Sequence, residues 1–394
     1  MARPGLATRL YQGEANLNIV GRRKLWFTIA AALLAVSIGS FLIRGFELGI
    51  EFAGGTSFTV PASTAQGEIT QDEARDAVER AVQSVDPDAE IGAAQQVGNG
   101  DDASYTVRAP ALTAAEAEEV KAALVEDLGV SADEVSDNQV SSAWGDAVTE
   151  KAILGLVIFL VLVVAYLIVR FEWRMAVAAL ASLLFDLVMT AGVYSLVGFE
   201  VTPSTVIGFL TILGYSLYDV VVVFDKVQEN TRGITAGSTR TYAEATNLAV
   251  NQTLMRSLNT GLVALLPVGG LLFIGAGFLG AGTLKDLGLV LFVGMGFGVI
   301  SSIVFAAPVL SALKDQEPKI KAHNARVLAR RAQRSSDVAP KAERARAANA
   351  TASDEVSVLA GGSTPRPGAR PAAKRNTTNR GGGGAGNRPG GKRR

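Results

Sequence analysis

The sequence predicts a polytopic α-helical membrane protein with six transmembrane helices and one α+β domain between the first and the second. Three observations predict it. Six stretches are almost wholly apolar over about 18 residues or more, against the roughly 20 needed to cross a hydrocarbon core about 30 Å thick. The block 45–150, after the first stretch, carries 22 Asp and Glu against only Arg75, Arg80, Arg108 and Lys121, and has its own strand and helix pattern. Lys and Arg gather beside alternate ends of the apolar stretches. The overall balance of 37 basic and 37 acidic side chains conceals this segregation.

Taken in order, residues 1–24 form a basic N-terminus ending in Arg22, Arg23 and Lys24. The first span, 25–43, has an apolar run long for a signal peptide and no A-x-A-like cleavage site, so it reads as an uncleaved anchor. The domain occupies 44–151. The remaining spans are expected at 152–169, 175–199, 203–224, 257–279 and 287–313. Arg170 and Arg174 lie between spans two and three, and Lys226, Arg232, Arg240 and Arg256 fill the loop between spans four and five. All fall on one side if the N-terminus is cytoplasmic, which places both termini inside and the acidic block outside, with Arg44, Lys151 and Lys285 as a minority of exceptions. From 314 to 394 the chain has 19 Lys and Arg against six acids and few large apolar residues. It is expected to be disordered, and suits anionic lipid, ribosomal RNA or simple solubilisation.

Within the domain, 57–60 reads as a strand, and Thr70 with Glu73 as a capping box opening a helix to about Ser84. Strands at 89–97 and 103–109 flank Gly98, Asn99 and Gly100, a hairpin pattern. Thr113 with Glu116 opens a second helix ending near Gly129, and 134–142 reads as a last strand. The βαββαβ order is the ferredoxin-like pattern, a shape that suits binding as readily as catalysis. Its acidity reads first as a solvated surface.

The absence of cysteine and a single histidine, His323, exclude disulfides, thiolate chemistry and histidine catalysis in the core; no metal or cofactor is implied. What remains is charge at membrane depth. Asp186 lies mid-span in the third stretch and Asp219 lies within the fourth, where a carboxylate costs at least a few kcal/mol on insertion scales and ordinarily marks function. Helical spacing puts Ser182, Asp186 and Thr190 in one stripe, Gly208, Tyr215, Ser216 and Asp219 in a second, and Arg256, Asn259 and Thr260 in a third. Asp225 and Arg256 stand at span ends, where a charge also serves as an interfacial anchor. The glycines at 294–298, with Ser302, read as a close-packing surface of span six.

Four motifs carry a family resemblance. GIEFAGGT (49–56), SLLFD (182–186), GYSLYDVVVVFDKVQEN (214–230) and NQTLMRS (251–257) resemble, in chain order, motifs of the SecF family, subunits of the SecDF complex in the resistance-nodulation-division superfamily. The likeness covers about 20–313. Glu51 stands where the family commonly has Asp, Tyr218 where it has Asn, and Phe185 where it often has His beside Asp186.

The resemblance implies a non-enzymatic accessory subunit of protein export, driven by the proton-motive force in a bacterial cytoplasmic membrane. Its partners would be SecD as the complementary six-span half, the SecYEG channel with SecA, and exported unfolded preproteins. It assigns proton coupling to Asp219 with Arg256 as its cation, joined by Asp186 and Asp225. Ser182, Thr190, Tyr215, Ser216, Asn259 and Thr260 would line the path, and Glu51, Phe52, Gly54 and Gly55 would form an exterior hinge. Desolvation disfavours a charged carboxylate and approach of an Arg favours it, so alternation between the two lets one Asp load and unload a proton. A proton-driven small-molecule exporter of the same superfamily is the alternative, although such exporters usually carry both halves in one chain. An intramembrane aspartyl protease would need a G-x-G-D turn, which neither Asp186 nor Asp219 has.

Overall fold

The structure is a computed structural model describing residues 16–64, 67–100, 103–278 and 282–334. Helix α1 (Arg23–Arg44) is the first span. The α+β domain follows as β1 (Gly55–Pro61), α2 (Gln71–Gln83), β2 (Gln95–Val97), β3 (Ser104–Ala109), α3 (Ala114–Leu128) and β4 (Ser136–Val140). The chain then runs through α4 (Ser142–Arg170), α5 (Trp173–Val197), α6 (Pro203–Thr231) and α7 (Tyr242–Gly269), the last continuing as a π-helix over Gly270–Phe278. The sixth span joins α8 (Gly282–Ser301), a π-turn at Ser302–Ala306 and α9 (Ala307–Asp315). Pro308 has no N–H to offer the carbonyl one turn back, and the wider π-turn accommodates that loss.

In the domain the four strands are antiparallel in the order β2-β3-β1-β4, the ferredoxin-like arrangement. Phe58, Val60, Val78, Val82, Val107, Val120 and Leu124 form a fully buried core between sheet and helices. Both capping boxes form: Thr70 and Thr113 each accept from the backbone N–H three residues on, and Glu73 and Glu116 reach back to the cap N–H groups at 2.6 and 2.7 Å. Those bonds, backbone first, hold both carboxyls below the usual glutamate range. Gly129 ends α3 in the left-handed region, φ 63°. The strand expected over 89–97 is shorter, only Gln95–Val97; it lies at the sheet edge, where Gly92 N–H to the Arg108 carbonyl (2.9 Å) is an isolated contact.

In the bundle, α5 is enclosed while α1 and α4 turn Leu33, Val36, Val161 and Leu162 outward. Lipid is as apolar as leucine, so close approach of small residues brings helices together. Ser40 Oγ meets Ser195 Oγ at 2.8 Å on the α1–α5 seam. A Cβ at Gly294 would lie 2.1 Å from Ile212 Cδ1, so α6 and α8 can meet only around a glycine there.

Three expectations need correction. Helix α4 begins at Ser142, well before the apolar run, because Ser141 caps it and the helix emerges directly from the domain. The loop expected between spans four and five is largely helix: α6 runs on to Thr231 and a Thr241–Glu244 capping box starts α7 at Tyr242, so Lys226 and Arg256 sit on helices. Hydropathy locates the membrane, not the helix ends. The tail expected to lack structure from Lys314 is helical over 318–334. Ile320, His323 and Val327 bury one stripe of it, and Asn324 Oδ1 accepts from the first N–H of α7 at 3.0 Å.

Candidate functional site

Both membrane carboxylates are sealed in the bundle interior. Asp219 on α6 is 2% exposed and Asp186 on α5 is fully buried. Serine hydroxyls from neighbouring spans hold them. Ser257 Oγ of α7 donates to Asp219 Oδ1 at 2.7 Å, and Ser302 Oγ, at the start of the π-turn, donates to Asp219 Oδ2. Ser216 Oγ of α6 donates to Asp186 Oδ2, while Asp186 Oδ1 has no hydrogen-bond partner among the described residues. Ser182 Oγ reaches Ser301 Oγ at 3.3 Å. Adjacent serines on the sixth span thus contact the Asp186 stripe on α5 and the Asp219 carboxylate on α6.

The chemistry of this donor set is informative. A hydroxyl can donate to a carboxylate or accept from a carboxylic acid by rotating one proton. Asp219 therefore sits among partners that serve either protonation state, and among the described residues no cation lies within 4.0 Å of it. No group of three or more His, Asp or Glu residues among them is arranged to hold a metal ion.

The structure brings Asp186, Asp219, Ser182 and Ser216 into one buried region; Thr190 instead bonds the Asp186 carbonyl at 2.8 Å. The Tyr215 hydroxyl is buried with no hydrogen-bond partner among the described residues. Arg256 does not contact Asp219: it is exposed, and its guanidinium donates to the Tyr218 hydroxyl at 3.2 Å. Asn259 is exposed and Thr260 half-buried, so the stripe expected on span five is out of phase. The buried face runs instead through Thr253, Ser257 and Gly261, four residues apart, with Ser257 against Asp219 of α6 and Gly261 against Val299 of α8. Asp225 pairs with Arg170 at 2.6 Å, both side chains partly exposed.

Glu51, Phe52, Gly54 and Gly55, expected as an exterior hinge, lie at a closely packed joint between domain and bundle. Gly54 has φ 73°, and a Cβ there would lie 2.9 Å from Ser142 Cα; a Cβ on Gly145 would lie 2.5 Å from the Phe52 carbonyl oxygen. The two crossings between domain and bundle are packed backbone on backbone. Sequence reasoning missed Ser257 and Ser301 and gave Ser302 only a packing role. A polar Ser-Ser pair inside an apolar span was the available clue.

Six apolar spans, an α+β domain inserted after the first, and carboxylates sealed among hydroxyls define a multi-pass membrane protein with titratable groups at membrane depth. Residues 120–316 match the family model described as protein export membrane protein SecD/SecF, C-terminal, and residues 39–66 match the SecD/SecF GG motif. The chain belongs to the SecF family of protein translocase subunits. It is 43% identical to the protein translocase subunit SecF of Mycobacterium tuberculosis, over 92% of this chain and 85% of that one. It is 47% identical to that of Streptomyces coelicolor, over 83% and 85%. The crystal structure of SecDF from Thermus thermophilus, described as a translocon-associated membrane protein, superposes with a TM-score of 0.64 at 28% identity. That match covers 79% of this chain and 42% of the longer SecDF chain.

Proposed function

We propose that this protein promotes export of preproteins across the cytoplasmic membrane by using the proton-motive force, with Asp219 as the residue that takes up and releases the proton. The observation that carries the reading is the setting of Asp219: buried at membrane depth, held by Ser257 and Ser302 from two other spans, and without a cation at hand. Such a group gains a proton when desolvated and gives it up when a cation or water reaches it. Arg256 is one helical position from Ser257, and a swing of its side chain from Tyr218 is the simplest way to bring that cation near. A proton crossing about 100 mV delivers roughly 2.3 kcal/mol, enough to bias two packings of a helix bundle.

Orientation follows from charge. Contacts of Arg23 with Asp315, Lys314 with Glu172, and Arg170 with Asp225 gather basic side chains at one end of the bundle. We assign that end and both termini to the cytoplasm and the α+β domain to the exterior. The chain matches about two-fifths of a SecDF chain, so we infer a SecD partner supplying the other half, with SecYEG, SecA and the unfolded preprotein as the working assembly.

Export into membrane vesicles, with and without a proton gradient, tests the reading. Asp219→Asn keeps the shape and removes the titrating group, so gradient-dependent stimulation falls to the no-gradient level while insertion and SecD capture persist. Full stimulation in the Asp219→Asn vesicles would remove Asp219 from the mechanism.

A further inference from the structure

Where the α+β domain meets the bundle, a second set of charges gathers on residues far apart in sequence. Arg108, at the end of β3, has a side chain only 16% exposed. Its Nη1 donates to the Leu48 carbonyl at 2.5 Å, its Nη2 lies 3.6 Å from Glu47 Oε2, and its Nε lies 3.5 Å from Glu200 Oε1. Gln95 of β2 donates to the other Glu200 oxygen at 2.6 Å. Glu200 stands in the α5–α6 connection, whose residues Glu200–Val201 pair in parallel with Glu47–Leu48 just beyond α1. Two strands of the domain therefore grip a connection of the bundle through one carboxylate. Beside it is a cavity of about 290 Å³ lined in part by Glu51, Lys285 and Asp286.

The two backbone crossings, at Gly54 and at the start of α4, pack on each other and make one pivot. The Arg108 and Glu200 contacts lie beside that joint and add a second tie between domain and bundle.

We propose that Arg108 and Glu200, with Gln95, form a latch that holds the domain in one attitude on the bundle, and that loss of charge on Glu200 releases it. The charged groups facing Glu200 are Arg108 from β3, Glu47 and Glu51 from the segment after α1, and Lys285 and Asp286 from α8: with Glu200 itself, four acids against two bases. The crowding is tight, since a Cβ on Gly49 would lie 2.5 Å from Glu51 Oε2 and 3.0 Å from Glu200 Oε1. Burial, then the neighbouring carboxylates, push the Glu200 carboxyl above the usual glutamate value while Arg108 opposes them. The ion pair is therefore intact at high pH and is lost as pH falls through that raised value, a window that opens above about 4.5. The latch concerns domain motion alone and does not need Asp219, so failure of the Asp219→Asn export test leaves it standing.

The native chain lacks cysteine, so labels can be placed at will. Spin labels at Gln83→Cys in α2 and Ile207→Cys in α6, in the full chain in lipid nanodiscs, report the domain-to-bundle distance by pulsed electron resonance. At pH 8 the parent shows one narrow distance. Arg108→Gln and Glu200→Gln each raise a second distance population roughly tenfold, the scale of one charge-assisted hydrogen bond, and the double variant adds little to either. Lowering the pH to about 4.5, below the raised Glu200 value, produces the second population in the parent and leaves Glu200→Gln unchanged. Hydrogen exchange at Phe58 stays slow throughout, which separates release from unfolding. A single narrow distance in both variants, an equal pH response in Glu200→Gln, or a second population that appears only with fast exchange at Phe58 overturns the latch.

Discussion

In the α+β domain the capping glutamates Glu73 and Glu116 stand exposed at helix starts, around a core of Phe58, Val60, Val78, Val107 and Leu124 that contains no charge. In the bundle the order is inverted: lipid-facing surfaces are apolar, and the carboxylates of Asp186 and Asp219 lie in the middle. Water surrounds the first region, and burial of apolar surface drives its folding. Lipid surrounds the second, so apolar burial separates its helices from their alternatives only weakly, and small residues and hydroxyls define the contacts. The difference teaches which polar residues to read as functional. A glutamate at a helix start stabilises that helix; an aspartate held by two serines inside an apolar bundle carries a desolvation cost, and is the residue with which a test of function begins.

The comparison breaks hardest at the domain core. Phe58→Ala opens a cavity in the middle of a small sheet and costs about 3 to 5 kcal/mol, a large share of what a domain of about a hundred residues has in hand. Hydrogen exchange on β1 and β3 in the whole protein is expected to become fast while the spans stay protected. Unchanged exchange would mean that the joint with α4 stabilises the domain more than its own core does.

The bundle responds with the opposite sign. Asp219→Leu replaces a buried carboxylate with an apolar side chain of similar reach. It removes a desolvation cost of several kcal/mol and loses about 1 to 3 kcal/mol where the buried Ser257 Oγ is left without its acceptor, so the net change is expected to be neutral or stabilising. Ser302 keeps a partner in the Val299 carbonyl at 2.9 Å. Thermal unfolding in detergent is expected to show an unchanged or raised midpoint together with loss of gradient-driven export. A clearly lowered midpoint would make Asp219 a structural residue and remove the contrast between the regions.

The two regions also differ in what their sequences disclose. The caps at Thr70 and Thr113 are local chemistry over four residues, and both form. Apolar runs mark all six spans because the bilayer imposes their length. The site was less legible. Polar residues on α7 offered two phases, and Arg256, Asn259 and Thr260 were the more conspicuous, yet Ser257 is the one facing Asp219. Rotation of a helix about its axis is fixed by its neighbours, which a single sequence does not contain. The Arg108–Glu200 contact joins residues in different regions of the fold, and no spacing rule reaches that far. The helix over 318–334 was hidden by its Arg- and Ala-rich composition, since three buried positions, Ile320, His323 and Val327, suffice to dock it.

The smallest effect tests the caps that distinguish the domain. Thr113→Ala removes the oxygen that accepts from the Glu116 N–H and should cost about 1 kcal/mol, read as faster exchange in the first turn of α3 with β1 unaffected. The Glu116 side chain gives the same cap a pH signature. Its carboxyl is held below the usual glutamate value, chiefly by the Thr113 backbone N–H, so it binds a proton less readily folded than unfolded. Its contribution is therefore complete above the unfolded value near 4.5 and disappears as pH falls through the lowered folded value. Glu73 behaves in the same way at the start of α2. Exchange in the first turns of both helices should quicken together below about pH 4.5, and Glu116→Gln should remove that response from α3 while leaving it in α2. If α3 still responded to acid in the Glu116→Gln protein, the cap would not be the source, and the surface carboxylates of the domain as a whole would be.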